Sequence, residues 1–202
     1  MRTGILGGTF NPPHLGHLHA ARLAREALGL DKVLFIPTNI PPHKALPEDT
    51  ATVADRCEMV RLLLADTPWA RLDTLEVARG GASYTVDTLR ELRRFLPAHV
   101  ELCFLMGADA AARLGEWREA SELGGLARFA VVSQRDDVSL DGRDLSRLAQ
   151  IIDAREILQV AMPQMDVSST DLREKVRQGR SIRDEVPAVV ADYIESHGLY
   201  QR

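Results

Sequence analysis

Short apolar runs alternate with helically patterned segments along the 202-residue chain, and this alternation restricts the fold more than any single motif does. Residues 3–7, 32–37 and 101–106 (TGILG, KVLFIP, ELCFLM) are too short for buried helices and too uniformly apolar for strands with one wet face. They fit strands covered on both sides. Weaker strands are expected near 71–77, 128–133 and 156–161. Between them Leu18, Ala21, Ala24 and Leu28 recur at helical spacing, with Gly29 where a left-handed residue ends a helix. Thr52 and Asp55 are spaced like a capping box at the head of a second helix, although Asp replaces the usual Glu or Gln. Further helices are expected at 85–95, 141–152, 168–178 and 187–196. Strands of this kind alternating with helices predict an α/β fold: a Rossmann-like, doubly wound, mostly parallel sheet with helices on both faces. No repeat or long linker divides the chain, so one domain over 1–202 is expected, with a small helical part at about 168–202.

Composition narrows the function. A net charge of −4 with no basic block gives no electrostatic footprint for nucleic acid. No apolar stretch approaches the eighteen or so residues of a membrane span, and the start of the chain lacks a secretory pattern, so a cytoplasmic location is expected. Cys57 and Cys103 stand in apolar or helical runs without zinc-ligand spacing, as reduced core thiols do. Assembly into homo-oligomers is left open.

The chemistry concentrates in GGTFNPPHLGH, Gly7 to His17. A glycine turn at the carboxyl end of a first strand lets a backbone approach a ligand, and the helix that follows offers free N–H groups to an anion. Neither G-x-G-x-x-G nor G-x-x-x-x-G-K-[ST] is present. His14 and His17, three residues apart, present their rings on one side of the helix start. The pair can donate to phosphate, serve packing, or ligate a metal; zinc needs a further protein ligand, and H-E-x-x-H is absent. His19 faces elsewhere, as a surface residue. Near the other end SSTDLR reads as a second anion site: a serine N-cap at Ser168 or Ser169, the N–H groups of Ser169 and Thr170, and the Arg173 guanidinium one turn in. The same letters also describe an ordinary capped helix. Lys44 sits on a proline-stiffened loop, either solvated or as a phosphate donor, and the part of His43 stays open. Asp109, after the Glu101–Met106 run and Gly107, is placed where a carboxylate meets a ribose hydroxyl.

GGTFNPPHLGH resembles the signature of nucleotidyltransferases that carry H-x-G-H after the first strand. Beyond it the chain is similar to the bacterial nicotinate-nucleotide adenylyltransferase family over nearly its whole length. The matches are IPPHK, RCEMV, EVARGGASYTVDTL, GADAA with Trp117 downstream, DVSSTDLR and VPAVVADYIESHGLY, in that order. The resemblance implies that ATP and nicotinate mononucleotide are joined as deamido-NAD with release of pyrophosphate, without a covalent enzyme intermediate, in NAD biosynthesis. It implies that His14, His17, Lys44 and Arg173 are catalytic donors. Gly8, Thr9, Phe10, His14, His17, Gly107, Asp109, Ser168, Ser169, Thr170 and Arg173 would bind ATP. Lys44, Tyr84, Thr85 and Trp117 would bind the mononucleotide, an aromatic lying on the pyridine ring and Thr85 near its carboxylate. Mg²⁺ is implied with ATP, and no dedicated protein metal site. Asn11 stands where the family often has aspartate, keeping a short polar side chain without the charge; Arg135 falls where members often carry arginine, but its surroundings diverge. The rival readings are a sister transferase for phosphopantetheine or nicotinamide mononucleotide, a non-catalytic nucleotide-binding module, and a zinc hydrolase built on the two histidines.

Overall fold

Six strands form one sheet in the computed structural model, which describes residues 1–42, 45–134 and 141–201. They are β1 (Arg2–Gly8), β2 (Lys32–Pro37), β3 (Ala70–Leu72), β4 (Glu101–Met106), β5 (Arg128–Gln134) and β6 (Ile157–Met162). Every pairing is parallel, and the order across the sheet is β3-β2-β1-β4-β5-β6. The connecting helices are α1 (Leu15–Leu28), α2 (Val53–Leu63), α3 (Leu75–Arg79), α4 (Thr85–Phe95), α5 (Ala108–Ala112), α6 (Leu123–Leu126) and α7 (Gly142–Ile151), followed by α8 (Ser169–Arg177) and α9 (Ala188–Ser196). The expected doubly wound α/β architecture is the observed one.

The period-two geometry of strands divides the core into two layers. Val33, Phe35, Cys103, Leu105, Ala130 and Val132 face α1, α2, α8 and α9. Their sequence neighbours Leu34, Ile36, Leu102, Phe104, Phe129 and Val131 face α4, α5, α6 and α7. Because β2 and β4 are buried on both sides, their runs are apolar from Val33 to Pro37 and from Leu102 to Met106. Gly29 ends α1 at φ +61°, and the Leu30 N–H returns to the Arg25 carbonyl at 2.9 Å. Thr52 caps α2, its hydroxyl accepting the Asp55 N–H at 3.1 Å and donating to the Asp55 carboxylate at 2.6 Å.

One expected strand is corrected. The run at 71–77 is strand only at Ala70–Leu72, and Leu75–Arg79 is helix. Asp73 accounts for the switch: its carboxylate accepts the Leu75 N–H at 3.0 Å, starting a turn that competes with pairing. β3 is an edge strand, hydrogen-bonded only to β2, so little opposes that turn. No helix among the described residues is long and apolar enough to cross a membrane.

The end of the chain returns to its beginning. Tyr200, 4% exposed, donates its hydroxyl to Asn11 Oδ1 at 2.8 Å. The same oxygen accepts the Ala51 N–H at 3.1 Å, while Asn11 Nδ2 donates to Thr50 Oγ1 at 3.3 Å. A neutral amide supplies both the acceptor and the donor needed here, so Asn11 works as a buried fastener. Tyr200→Phe should lower stability to unfolding by about 1 kcal/mol, the net worth of one such bond. An unchanged urea midpoint with unchanged slope would show that the bond contributes nothing.

Candidate active site

Sheet order reverses direction between β1 and β4, and at such a switch point the carboxyl ends of two neighbouring strands leave a crevice. A cavity of about 600 Å³ opens there, with Gly8 at the end of β1 and Met106 at the end of β4 in its floor. A smaller space of about 300 Å³ shares Thr38, Thr85, Asp109 and Trp117 with it.

The paired histidines form one wall. His14 is the residue before α1, in extended backbone, and the two rings lie 3.8 Å apart between centroids. The His14 N–H donates to His17 Nδ1 at 3.2 Å. With Nδ1 occupied as an acceptor, the proton of neutral His17 belongs on Nε2. Burial lowers the His14 pKa to about 4. Burial, and then His14 itself, hold His17 well below the ordinary histidine value. At neutral pH the pair is therefore uncharged, and each ring has one N–H to donate. The intervening glycine has a steric cause: a Cβ on Gly16 would stand 2.9 Å from His14 Nδ1 and from Val167 Cγ1. The imidazole occupies the space a side chain would take.

Gly8 is bare for a similar reason, since a Cβ there would meet the Phe10 ring at 3.1 Å. Phe10, expected along the nucleotide site, has its ring buried instead, 2% exposed beneath His17 and beside Phe35. Its φ of +50° is the left-handed region, which costs a bulky residue roughly 1–2 kcal/mol. Ring burial and the hydrogen bonds around the turn hold it there.

Arg56 supplies some of those bonds. The side chain is 1% exposed and has no carboxylate partner among the described residues. Nη1 donates to the Thr9 and Thr38 carbonyls, both at 2.7 Å, and Nη2 to the Asn39 carbonyl at 3.3 Å. Bonds from a charged group are worth about 1.5–3 kcal/mol each. The desolvation penalty of a buried ion is several kcal/mol, so the net gain in stability is small. What the residue fixes is the geometry of two loops. A sequence signal for it exists: Arg56 lies at helical spacing from Met59, Val60 and Leu63, inside a buried stripe where a charge is unexpected.

The opposite wall comes from the turn before α4 and from α4 itself. Asn39 N–H donates to Ser83 Oγ at 2.9 Å and Asn39 Nδ2 to the Gly81 carbonyl at 2.8 Å, tying the loop after β2 to the turn before α4. Thr85, the first residue of α4, opens onto both spaces. Trp117 lies between them, edge-on to Phe104 at 5.8 Å. Tyr84 lines only the smaller space, under the Arg118 guanidinium at 4.8 Å. Gly107 and Asp109, at the start of α5, face the larger one. Glu76 and Thr88, not singled out by the sequence, also line it; Thr88 donates to the buried Glu76 carboxyl at 2.6 Å, and burial raises the Glu76 pKa.

Helix α8 is docked on the histidine turn rather than spread along the cavity. Ser168 caps it, accepting the Asp171 N–H at 3.1 Å, and Ser169 Oγ donates to the Pro12 carbonyl at 2.8 Å. Arg173 spends Nη1 on the Asn11 carbonyl at 2.9 Å and the Ser169 carbonyl at 3.2 Å, with Asp49 3.7 Å from Nε. Val167, one residue before the cap, reaches the cavity; Ser168, Ser169, Thr170 and Arg173 adjoin it without lining it. Lys44, His43 and Arg135 lie outside the described residues. Among those described, no cluster of three or more His, Cys, Asp or Glu could hold a metal ion.

Residues 5–175, which hold the sheet, the glycine turn and the histidine pair, match the cytidylyltransferase-like family. A relative from Dehalococcoides mccartyi, "Probable nicotinate-nucleotide adenylyltransferase", is 40% identical over all of this chain and 98% of its own length. One of the same name from Thermus thermophilus is 41% identical over the whole of both chains. The chain belongs to the cytidylyltransferase-like family and, within it, to the nicotinate-nucleotide adenylyltransferases. Its fold is that of the Plasmodium falciparum nicotinic acid mononucleotide adenylyltransferase complexed with NaAD, at a TM-score of 0.79 and 18% identity, covering 98% of this chain and 97% of the other.

The depressed histidine pKa has a consequence for stability. In the unfolded chain His14 protonates near the ordinary histidine value of 6.5, but in the folded protein only near 4. The unfolded state thus binds more protons between these values, and stability falls as pH drops through that window, by up to roughly 3 kcal/mol for this residue. His14→Gln should lose less stability than the wild type between pH 7 and pH 5 in urea titrations. Parallel losses in both proteins would mean that His14 is not held neutral by the fold.

Proposed function

We propose that ATP lies over the His14–His17 turn, that nicotinate mononucleotide lies over the N-terminus of α4, and that the cavity joins them. The observation that carries this reading is the meeting of an uncharged histidine pair at the start of a 14-residue helix with a second helix N-terminus and Trp117 around one cavity. Helix N-termini and neutral N–H donors suit phosphate and carboxylate groups. An oxygen of the acceptor's 5′-phosphate attacks the α-phosphorus of ATP. The bond from that phosphorus to the bridging oxygen breaks, and pyrophosphate leaves with the electron pair. The products are deamido-NAD and pyrophosphate.

Catalysis consists of alignment and of donors placed where charge gathers. His14 and His17 give Nε2–H bonds to the transferring phosphate, and Gly8, Thr9 and Gly107 leave backbone close to the nucleotide. Asp109 accepts from ribose. The N–H groups of Ser169 and Thr170, with Ser168 and Arg173, carry the leaving phosphates, and Lys44 the acceptor phosphate. Trp117 and Tyr84 flank the pyridine, while Thr85 and the amides before it meet its carboxylate. The donor set near the cavity is imidazole and amide rather than a carboxylate cage, which fits a magnesium ion arriving on ATP. When bound, that ion neutralises charge on the triphosphate oxygens.

His17→Ala should leave a folded protein whose kcat is lower by about 10²–10³, the usual consequence of losing one preorganised donor. Near-normal turnover would remove this histidine from the reaction. The reading as a whole is tested by pyrophosphate release from ATP and Mg²⁺ with each mononucleotide. Nicotinamide mononucleotide brings its own NH₂ to donors aimed at a carboxylate, leaving each mismatched donor unpaired at about 1–3 kcal/mol. That is roughly five- to 150-fold in kcat/KM per donor, in favour of the nicotinate form. Equal values would overturn the acceptor assignment, and no release with either would overturn the transfer.

A further inference from the structure

Arg56 does not touch the cavity, yet it is bonded to both sides of it. Thr9 and Thr38, whose carbonyls share Nη1 at 2.7 Å each, line the cavity at the ends of β1 and β2. The sheet fixes those two strands only as far as the Thr38 N–H bond to the Gly8 carbonyl at 2.9 Å. Beyond it, one nitrogen accepted by two oxygens keeps the loops from spreading. The peptide between Thr38 and Asn39 is held at both ends, its carbonyl by Arg56 and its N–H by Ser83 Oγ at 2.9 Å. Ser83 in turn belongs to the turn that leads into Thr85 and α4. On the other side, the fixed Thr9 carbonyl sets the peptide plane that precedes Phe10 at φ +50°, and a trans peptide then turns the Phe10 N–H away from Arg56.

We infer that Arg56 is a positioning residue for the transfer: it sets the distance between the ATP-side turn at Thr9 and the acceptor-side loop at Thr38 and Asn39, so that the two substrates meet in line. This rests on the adenylyl-transfer reading above. A carboxylate partner would draw the guanidinium to one side; three carbonyls on two loops keep it central. A lysine retains the charge but lacks the planar fork that reaches two loops at once.

Arg56→Lys and Arg56→Ala test this, each with a melting curve and with turnover counted per folded molecule. For Arg56→Lys, kcat should fall roughly ten- to hundredfold, the scale of a misplacement of about an ångström. The KM for ATP and for the mononucleotide should change little. Arg56→Ala should regain turnover with guanidinium below denaturing concentrations and not with ammonium at the same ionic strength, a rescue that a purely structural role would not produce. Unchanged kcat in folded Arg56→Lys, a loss confined to KM, or a loss fully explained by unfolded protein would overturn the inference. Failure of the transfer reading looks different, because the wild-type protein itself would then release no pyrophosphate.

Discussion

The carboxyl end of β1 is the point on which the rest of the site depends. After β1 the chain crosses through α1 to β2 and on to β3, then returns past β1 to reach β4 on its other side. Crossovers that leave in opposite directions cannot both cover the junction of β1 and β4, so a crevice is left that no core side chain fills. Many of the groups that surround it follow strand ends or begin helices: the histidine turn after β1, Thr38 after β2, Gly107 and Asp109 after β4, and the head of α4. Position in the topology, more than proximity in sequence, makes them neighbours.

On the proposed reading the crevice accepts polyanions with little exposed charge. The groups around it are neutral imidazoles, helix N-termini and backbone amides, and the nearby buried guanidinium of Arg56 bonds through Nη1 and Nη2 to carbonyls. A lysine-rich pocket would repel itself when empty. Dipoles fixed by the fold avoid that cost and need little reorganisation when a phosphate arrives.

The last third of the chain holds the first loop in shape. Ser169 bonds to the Pro12 carbonyl, Arg173 to the Asn11 carbonyl and Tyr200 to the Asn11 side chain, while the Leu15 N–H finds the Glu185 carbonyl at 2.9 Å. All four bonds join residues separated by 157 to 189 positions. The histidine turn is therefore held by α8 and the end of the chain, and is part of the global fold rather than a local motif.

The sequence by itself determined the strands at Lys32–Pro37 and Glu101–Met106, the helix at Thr85–Phe95, the Gly29 stop and the shared face of His14 and His17. Each of these follows from periodicity or a cap within a few residues, where local sterics decide. The family resemblance supplied the reaction. Tertiary structure alone decided that Phe10 turns inward beneath His17, that Arg173 is committed to the Asn11 carbonyl, that Glu76 and Thr88 reach the cavity, and that Arg56 spans two loops. None of these has a local signature strong enough to name its partner. Each depends on where a crossover returns, and that is set by how both faces of one sheet are buried at once.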